Sequence, residues 1–252
     1  MGGLMIEEIS ASSQLIRLLK RELPPDRFNI IRLEAGSVVS ARNYDHDDFK
    51  ITNVSYCYPS KPPGLLQAIS VNILGRVYEK KVKALHKVSF SSDRGKVNIV
   101  CGENGSGKTT LMYILAGYIL ADEGSIILED KQLSQEDLWN ISSFIQNMPL
   151  FLFSRLKVET YFKIVSKMFE VDWRKTLEKD EHLWNKRHMY VGALSRGEKN
   201  RLGILTGFMK PAEIFLCDEV DKNLDREGLE IFKKLIIEKV LEGKIVFVTT
   251  PV

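Results

Sequence analysis

The sequence has few cysteines, and their spacing argues against a disulfide framework. Cys57, Cys101 and Cys217 lie far apart, and no two of them have C-x-x-C spacing. An odd and scattered set is typical of a protein whose thiols stay reduced. We therefore expect an intracellular protein that is not held together by disulfide bonds.

Long apolar segments are also missing. No stretch approaches the ~18 uninterrupted apolar residues of a transmembrane helix. The first ten residues, MGGLMIEEIS, contain acids where a secretory signal peptide needs a basic segment followed by an apolar one. If the protein acts at a membrane, we expect a partner to supply the membrane-spanning part.

The chain carries little excess charge of either sign. Lys and Arg total 36 and Asp and Glu total 33, which gives a formal net charge of +3. This excess is too small to indicate a nucleic acid as the partner, and we expect none. The 44% hydrophobic and 27% charged residues are ordinary for a soluble globular protein. The 252 residues suffice for one large domain or two small ones.

The predicted elements change about a third of the way along the chain. The sequence first predicts a short amphipathic helix within residues 12–22 and then mainly strands, at 28–40, 50–58 and 83–90. From residue 96 onward, apolar strands alternate with helices up to the final strand in GKIVFVTTPV. Strands that alternate with helices favour a parallel sheet covered on both faces.

A glycine-rich loop follows the predicted strand KVNIV. Its sequence GENGSGKT fits G-x-x-x-x-G-K-[ST]. Gly102, Gly105 and Gly107 allow backbone N–H groups to face a phosphate chain at the start of the next helix. Lys108 would reach the terminal phosphates, and the Thr109 hydroxyl would ligate Mg²⁺. A chance glycine-rich turn is the alternative, but the strand before and the helix after favour nucleotide binding.

Two further segments carry polar groups typical of such a site. EIFLCDE is an apolar strand that ends in Asp218, a candidate Mg²⁺ ligand, and Glu219, a candidate base for the attacking water. The alternative is a core strand with an acidic tip. In LSRGEKNR, Ser195 and Gly197 begin a helix whose N-terminus can face an anion. The alternative there is a plain capping box between Ser195 and Glu198.

Together these segments resemble the nucleotide-binding domain of the ABC ATPases, and they occur in that family's order. GENGSGKTT resembles the Walker A loop, FIQNM the Q-loop, LSRGEKNR the signature LSGGQ, IFLCDE the Walker B strand and KNLD, which ends at Asp225, the D-loop. The resemblance covers residues 49–252. Residues 1–48 are left as an N-terminal extension of unknown role, which could add strands to the β-subdomain or dock on a partner.

The resemblance implies an α/β fold of the P-loop NTPase type. We expect a mostly parallel core sheet, an antiparallel β-subdomain and a small helical subdomain at about 147–200. It also implies ATP and Mg²⁺ as cofactors. The implied catalytic residues are Glu219, Gln146 and Lys108, and the implied metal ligands are Thr109, Gln146 and Asp218.

Tyr58 is the residue that the resemblance places against adenine, with Tyr56 as the fallback. A stretch between Tyr58 and Lys83 that is longer than the family's usual hairpin complicates this assignment. The full set implied to bind the nucleotide is Tyr58, Gly102, Asn104, Gly105, Ser106, Gly107, Lys108, Thr109, Thr110, Ser195, Gly197 and Glu198.

The chain departs from the family pattern at three other positions. Thr250 stands where the family has its switch histidine, and threonine carries neither a cation nor a ring that braces the catalytic glutamate. Arg196 and Glu198 replace Gly and Gln of the signature. We therefore expect ATP binding with slow hydrolysis.

The resemblance also implies partners. Two cassettes would pack head to tail around ATP, as a homodimer or a heterodimer, and drive a separately encoded transmembrane transporter subunit. The protein would then be cytoplasmic and held peripherally at the inner face of the membrane. The apolar segment NMPLFLFSRLKVETYF would help form the groove for that subunit, or it would simply pack the helical subdomain. The alternative function is a soluble or degenerate ABC protein that acts as a nucleotide-dependent assembly or regulatory clamp.

Overall fold

The computed structural model describes residues 13–40, 48–58, 82–146 and 153–251. Its helices are α1 (Gln14–Leu19), α2 (Lys108–Leu115), α3 (Gln135–Ile141), α4 (Val158–Phe169), α5 (Trp173–Leu177), α6 (Glu181–Asn185), α7 (Arg196–Met209) and α8 (Arg226–Leu241). Its strands are β1 (Phe28–Glu34), β2 (Ser37–Ser40), β3 (Phe49–Tyr58), β4 (Val82–Ser92), β5 (Val97–Cys101), β6 (Glu123–Leu128), β7 (Lys131–Gln132), β8 (Ser142–Ile145), β9 (Ile214–Cys217) and β10 (Ile245–Thr250). Within these ranges, no helix is long and apolar enough to cross a membrane.

The strands form two sheets, which confirms the predicted fold class. The six-stranded sheet has the order β2-β1-β5-β10-β9-β8, and all its pairs are parallel except β1 with β2. The four-stranded sheet, β4-β3-β6-β7, is antiparallel. The parallel sheet brings the carboxyl ends of β5, β9 and β10 to one edge, where the candidate site lies.

The six-stranded sheet is buried on both faces. On β10, Val246 and Val248 belong to a cluster with α1, α7 and α8, whereas Ile245 and Phe247 belong to a cluster with α2 and the antiparallel sheet. Neighbouring residues of a strand point to opposite faces, so a strand covered on both faces needs an unbroken apolar run. This explains why IVFV is apolar at every position.

Part of the N-terminal extension belongs to the core sheet. Strand β1 pairs in parallel with β5, in register from Phe28 opposite Val97 to Arg32 opposite Cys101. Its first four residues are buried, and α1 packs against α8. The described residues 13–40 therefore add strands to the six-stranded sheet and not to the antiparallel one. The proposed domain boundary at residue 48 stays a prediction.

Two sequence features lie mainly outside the described residues. One is most of the long stretch between Tyr58 and Lys83. The other is the beginning of the apolar segment that follows Gln146, up to residue 152. Helices α4, α5 and α6 and the start of α7 occupy the described part of the predicted helical subdomain, whose boundaries also stay a prediction.

A buried pair of asparagines links three strands of the core sheet. The Asn29 amide on β1 donates to the Asn98 side-chain oxygen on β5 at 2.9 Å and to the Ser91 carbonyl on β4 at 2.9 Å. The Asn98 amide donates to the Val246 carbonyl on β10 at 3.3 Å. Both asparagines are fully buried, so these bonds favour one register of β1 over its alternatives.

Replacing Asn29 by alanine should therefore destabilise the fold. The change leaves the buried oxygens of Asn98 and Ser91 without the Asn29 donor, and we expect a loss of about 1–3 kcal/mol in the free energy of unfolding. Urea denaturation measures it. The matched control is Asn140→Ala at an exposed position of α3, where we expect a change within about 0.5 kcal/mol. Equal midpoints for the two variants would contradict the role of the buried pair.

Candidate functional site

The glycine-rich loop leaves β5 after Cys101 and enters α2 at Lys108. Gly107 has a φ of +97°, and a Cβ there would lie 2.6 Å from the Ala84 carbonyl oxygen, so the loop packs tightly against β4. Gly105 has a φ of +84°, but a Cβ there would meet nothing within 4 Å. Left-handed backbone favours glycine at both positions. The loop is thus anchored at one glycine and open at the other.

Two polar groups of the loop fit a bound phosphate chain. The buried Lys108 ammonium donates to the carbonyls of Gly102 at 2.7 Å and Glu103 at 2.9 Å. Burial lowers the pKa of Lys108, while Glu219 and Asp218 act to raise it. The Ser106 hydroxyl is buried and has no hydrogen-bond partner among the described residues. A cation and a free hydroxyl inside a positive-φ loop match the needs of an oligophosphate.

A cavity of about 470 Å³ opens beside this loop. It brings together most of the predicted P-loop residues with Tyr58 and Glu219, which come from distant parts of the sequence. Its lining residues are Tyr58, Lys83, Ala84, Asn104, Gly105, Gly107, Lys108, Thr109, Thr110 and Glu219. The sequence does not point to Lys83, because its place in the wall follows from the pairing of β4 with β3 opposite Cys57.

Tyr58 stands at the rim of the cavity. Its hydroxyl lies 3.2 Å from the Thr110 hydroxyl, and its ring meets the Tyr56 ring edge-on at 5.0 Å between centroids. Tyr56 packs against the core and is not among the lining residues. This geometry favours Tyr58 over Tyr56 as the candidate for stacking on a base, and that role stays a prediction.

Asp218 lies where three chain segments meet. The Thr109 hydroxyl donates to one Asp218 oxygen at 2.9 Å, and the Thr249 hydroxyl donates to the other at 2.7 Å. The backbone N–H of Glu219 donates to the same Thr249 hydroxyl at 2.9 Å. A carboxylate beside a P-loop hydroxyl is a donor set that suits Mg²⁺. No group of three His, Cys, Asp or Glu suited to a metal occurs among the described residues, so such a site would need phosphate or water ligands as well.

Gln146 follows the same edge of the sheet. It comes directly after β8, and the Asp218 N–H donates to the carbonyl of the preceding residue, Ile145, at 2.9 Å. Gln146 itself lines a separate groove beside α3, α4 and α7. Its predicted part in catalysis and metal binding stays a prediction.

Glu219 has an unusual backbone conformation. Its φ is +50°, and it begins the 3-10 turn Val220–Asn223. Its carboxylate lies 2.7 Å from the Lys222 ammonium. A non-glycine residue with a positive φ is uncommon, and such positions concentrate at functional sites. The turn directs the candidate base into the cavity that the P-loop lines.

At the tip of β10, the residue that contacts Asp218 and Glu219 is Thr249, which precedes the position of the family's histidine. Thr250, at the histidine position, donates its hydroxyl proton to the Pro251 carbonyl at 3.3 Å. Thr249 instead makes the contacts to Asp218 and Glu219. The sequence reasoning missed Thr249, although the repeated threonine in VTT was the signal available.

The signature segment lies apart from the P-loop cavity. Ser195, Gly197 and Glu198 are not among the residues that line it. Ser195 caps α7 in a capping box with Glu198, so the capping box named as the alternative is present. Gly197 has open space around its Cβ position. The predicted contacts of these residues with nucleotide stay predictions.

The Glu198 side chain folds back onto the N-cap of α7 and onto two basic side chains. Its carboxylate accepts from the Ser195 N–H at 2.7 Å and lies 2.5 Å from both the His182 imidazole and the Lys186 ammonium. Burial acts to raise its pKa, but the bonds from Lys186, His182 and Ser195 outweigh burial and lower the pKa to about 2. The charge of Glu198 is therefore compensated inside the protein.

Comparison with known proteins agrees with this arrangement. The lantibiotic transport ATP-binding protein SrtF of Streptococcus pyogenes is 30% identical over 184 residues, which are 72% of this chain and 79% of that protein. The cytochrome c biogenesis ATP-binding export protein CcmA of Reclinomonas americana is 24% identical over 200 residues, 73% of this chain and 85% of that protein. Both names describe ATP-binding proteins of transport or export systems.

Solved structures show the same fold. A dimeric ATP-binding cassette in a post-hydrolysis state, bound to ADP and Pi, matches with a TM-score of 0.62 at 20% identity and covers 80% of this chain and 87% of that chain. An ATP-binding subunit of an ABC transporter matches with a TM-score of 0.62 at 18% identity, over 81% and 79% of the two chains. The sequence model of the family described as "ABC transporter" matches residues 85–222, more than half of the chain. The chain therefore belongs to the ABC transporter family and has the fold of its ATP-binding cassettes.

Proposed function

We propose that this protein binds MgATP, dimerises around it and hydrolyses it to drive a separately encoded transmembrane transporter subunit. The observation that carries the proposal is the cavity in which the P-loop, Tyr58 and Glu219 meet. The Thr109 and Thr249 hydroxyls fix Asp218 at its edge. Each group that phosphoryl transfer to water requires is present there: a phosphate cradle, a cation, a metal-ligand pair and a carboxylate.

The residues divide the work as follows. The P-loop N–H groups and Lys108 would hold the β- and γ-phosphates, and Thr109 and Asp218 would hold Mg²⁺, with Gln146 as a further proposed ligand. Mg²⁺, when bound, neutralises charge on the phosphates. Glu219 accepts a proton from the water that attacks the γ-phosphorus, and the bond to the bridging oxygen breaks to give ADP and phosphate. Tyr58 stacks on the base at the rim.

The separation of the signature helix from the cavity supports a dimer. The N-terminus of the 14-residue helix α7 is exposed at Arg196, and Gly197 leaves open space there. A second cassette would present this end to the phosphates, where the helix dipole favours an anion. Glu198 does not oppose this, because the Lys186 ammonium already compensates its charge.

The groove beside Gln146 supports docking of the transmembrane subunit. This groove has a volume of about 530 Å³. Tyr118, Trp139 and Met168 line it and are exposed by 46%, 56% and 72%. Exposed aromatic and Met side chains around a concavity are typical of a groove that receives an amphipathic helix. In the described part of the apolar segment, Phe162 is buried in the core, while Phe153 and Tyr161 also line the groove, and this placement is compatible with both predicted roles.

A second candidate function is a nucleotide-controlled clamp with little turnover. The observation in its favour is Thr250, whose hydroxyl bonds to the Pro251 carbonyl. The intact Glu219 and the complete P-loop favour hydrolysis.

Glu219→Gln should separate these functions. With wild type hydrolysing ATP, the glutamine variant should retain nucleotide binding and lose turnover by roughly 100-fold or more, because an amide cannot accept the proton. The variant should then accumulate an ATP-dependent dimer. Light scattering on the same samples as the ATPase assay measures both. If neither protein turns over ATP and nucleotide alone sets the oligomeric state, the clamp is correct.

Met168→Glu should weaken docking on the transmembrane subunit. A charge placed in an apolar groove is desolvated on docking, and we expect the affinity to fall by about tenfold or more. The measurement is the fraction of the protein that sediments with membranes of its native cells. Leu241→Glu, at a similarly exposed position of α8 away from the groove, is the control and should behave as wild type. Equal membrane association of both variants would show that the groove is not the docking surface.

A further inference from the structure

Lys222, the first residue of the segment KNLD, places a further cation beside Glu219. The Lys222 ammonium lies 2.7 Å from the Glu219 carboxylate, and the two side chains are 42% and 33% exposed. We propose that Lys222 is a positioning residue that holds the carboxylate of Glu219 for hydrolysis and takes over the bracing that Thr250 cannot supply. The inference rests on the proposed function of Glu219.

The local backbone makes this pair possible. Glu219 enters the 3-10 turn Val220–Asn223 in a left-handed conformation, and Lys222 lies three residues further on. Lys222 lies inside the turn, whereas Glu219 is the residue before it and has a φ of +50°. Their charged groups meet at 2.7 Å, so the turn brings the ammonium to the carboxylate.

The threonines at the tip of β10 cannot perform this task. A hydroxyl has a single proton to donate. Thr249 gives its proton to Asp218 at 2.7 Å and accepts from the Glu219 backbone, so it fixes the main chain of Glu219. Thr250 gives its proton to the Pro251 carbonyl. Thr249 therefore holds the backbone of Glu219, and Lys222 holds its carboxylate.

Lys222 also balances the charge of the site. Burial is the main cause that lowers the pKa of Lys108, and the positive charge of Lys222 acts in the same direction. Asp218 and Glu219 face these two cations. A carboxylate that must approach an anionic triphosphate is repelled by it, and an ammonium 2.7 Å away offsets that repulsion. Lys222 should therefore matter for the chemical step more than for ATP binding.

The test compares Lys222→Met and Lys222→Arg with wild type in the full chain with Mg²⁺. Steady-state assays give kcat and KM, and titration with a fluorescent ATP analogue gives affinity. We expect Lys222→Met to lower kcat by about tenfold or more with KM and affinity nearly unchanged, and Lys222→Arg to restore most of kcat. In the Glu219→Gln background, Lys222→Met should have no further effect on the residual rate.

Lys239→Met is the matched control, because Lys239 forms an i,i+3 pair with Glu242 at the same 2.7 Å outside the site. It should leave kcat unchanged. A kcat for Lys222→Met equal to or above that of wild type would overturn the proposed role, and so would a loss of affinity that accounts for the whole effect. If wild type itself does not turn over ATP, the proposed hydrolysis is wrong and this role with it. That result differs from equal turnover of wild type and Lys222→Met, which would overturn only the role of Lys222.

Discussion

The contact on which the site depends is the pair of threonine hydroxyls that donate to Asp218. Thr109 lies in the first turn of α2, Asp218 directly follows β9 and Thr249 lies at the tip of β10, so the two bonds tie three segments together. Because Thr249 also accepts from the Glu219 N–H, the same hydroxyl fixes the backbone just before the turn Val220–Asn223. Parallel strands make this possible, since they bring their carboxyl ends to one edge.

Most of the candidate site could be predicted from local sequence patterns. The P-loop, the acids after β9 and the capping box at Ser195 are each specified within about ten residues, where spacing dictates geometry. At Ser195 a plain cap and a helix end that faces an anion do not exclude each other. The capping box turns Glu198 back onto the protein and leaves the end of α7 open to an anion.

Tertiary contacts account for what the sequence could not show. β1 lies beside β5 because of pairing between residues about seventy apart, such as Ile30 with Ile99, and strand propensity carries no information about such a partner. Lys83 enters the cavity wall through the register of β4 on β3. The sequence analysis considered Thr250 and not Thr249 because the family pattern marks only the position of Thr250. Which of the two hydroxyls faces Asp218 depends on the conformation of the end of β10.

A buried ion pair couples the signature helix to the rest of the cassette. Arg201 on α7 donates twice to Asp180, each bond 2.6 Å, in a pair almost fully removed from solvent, and reaches Glu227 on α8 at 2.9 Å. A buried charge that loses its partner costs several kcal/mol, so these contacts tend to persist together. Asp225, which caps α8, lies two residues after the turn Val220–Asn223 that contains Lys222. The side chain of Arg201 thus ties α7 to the start of α6 and to the first turn of α8.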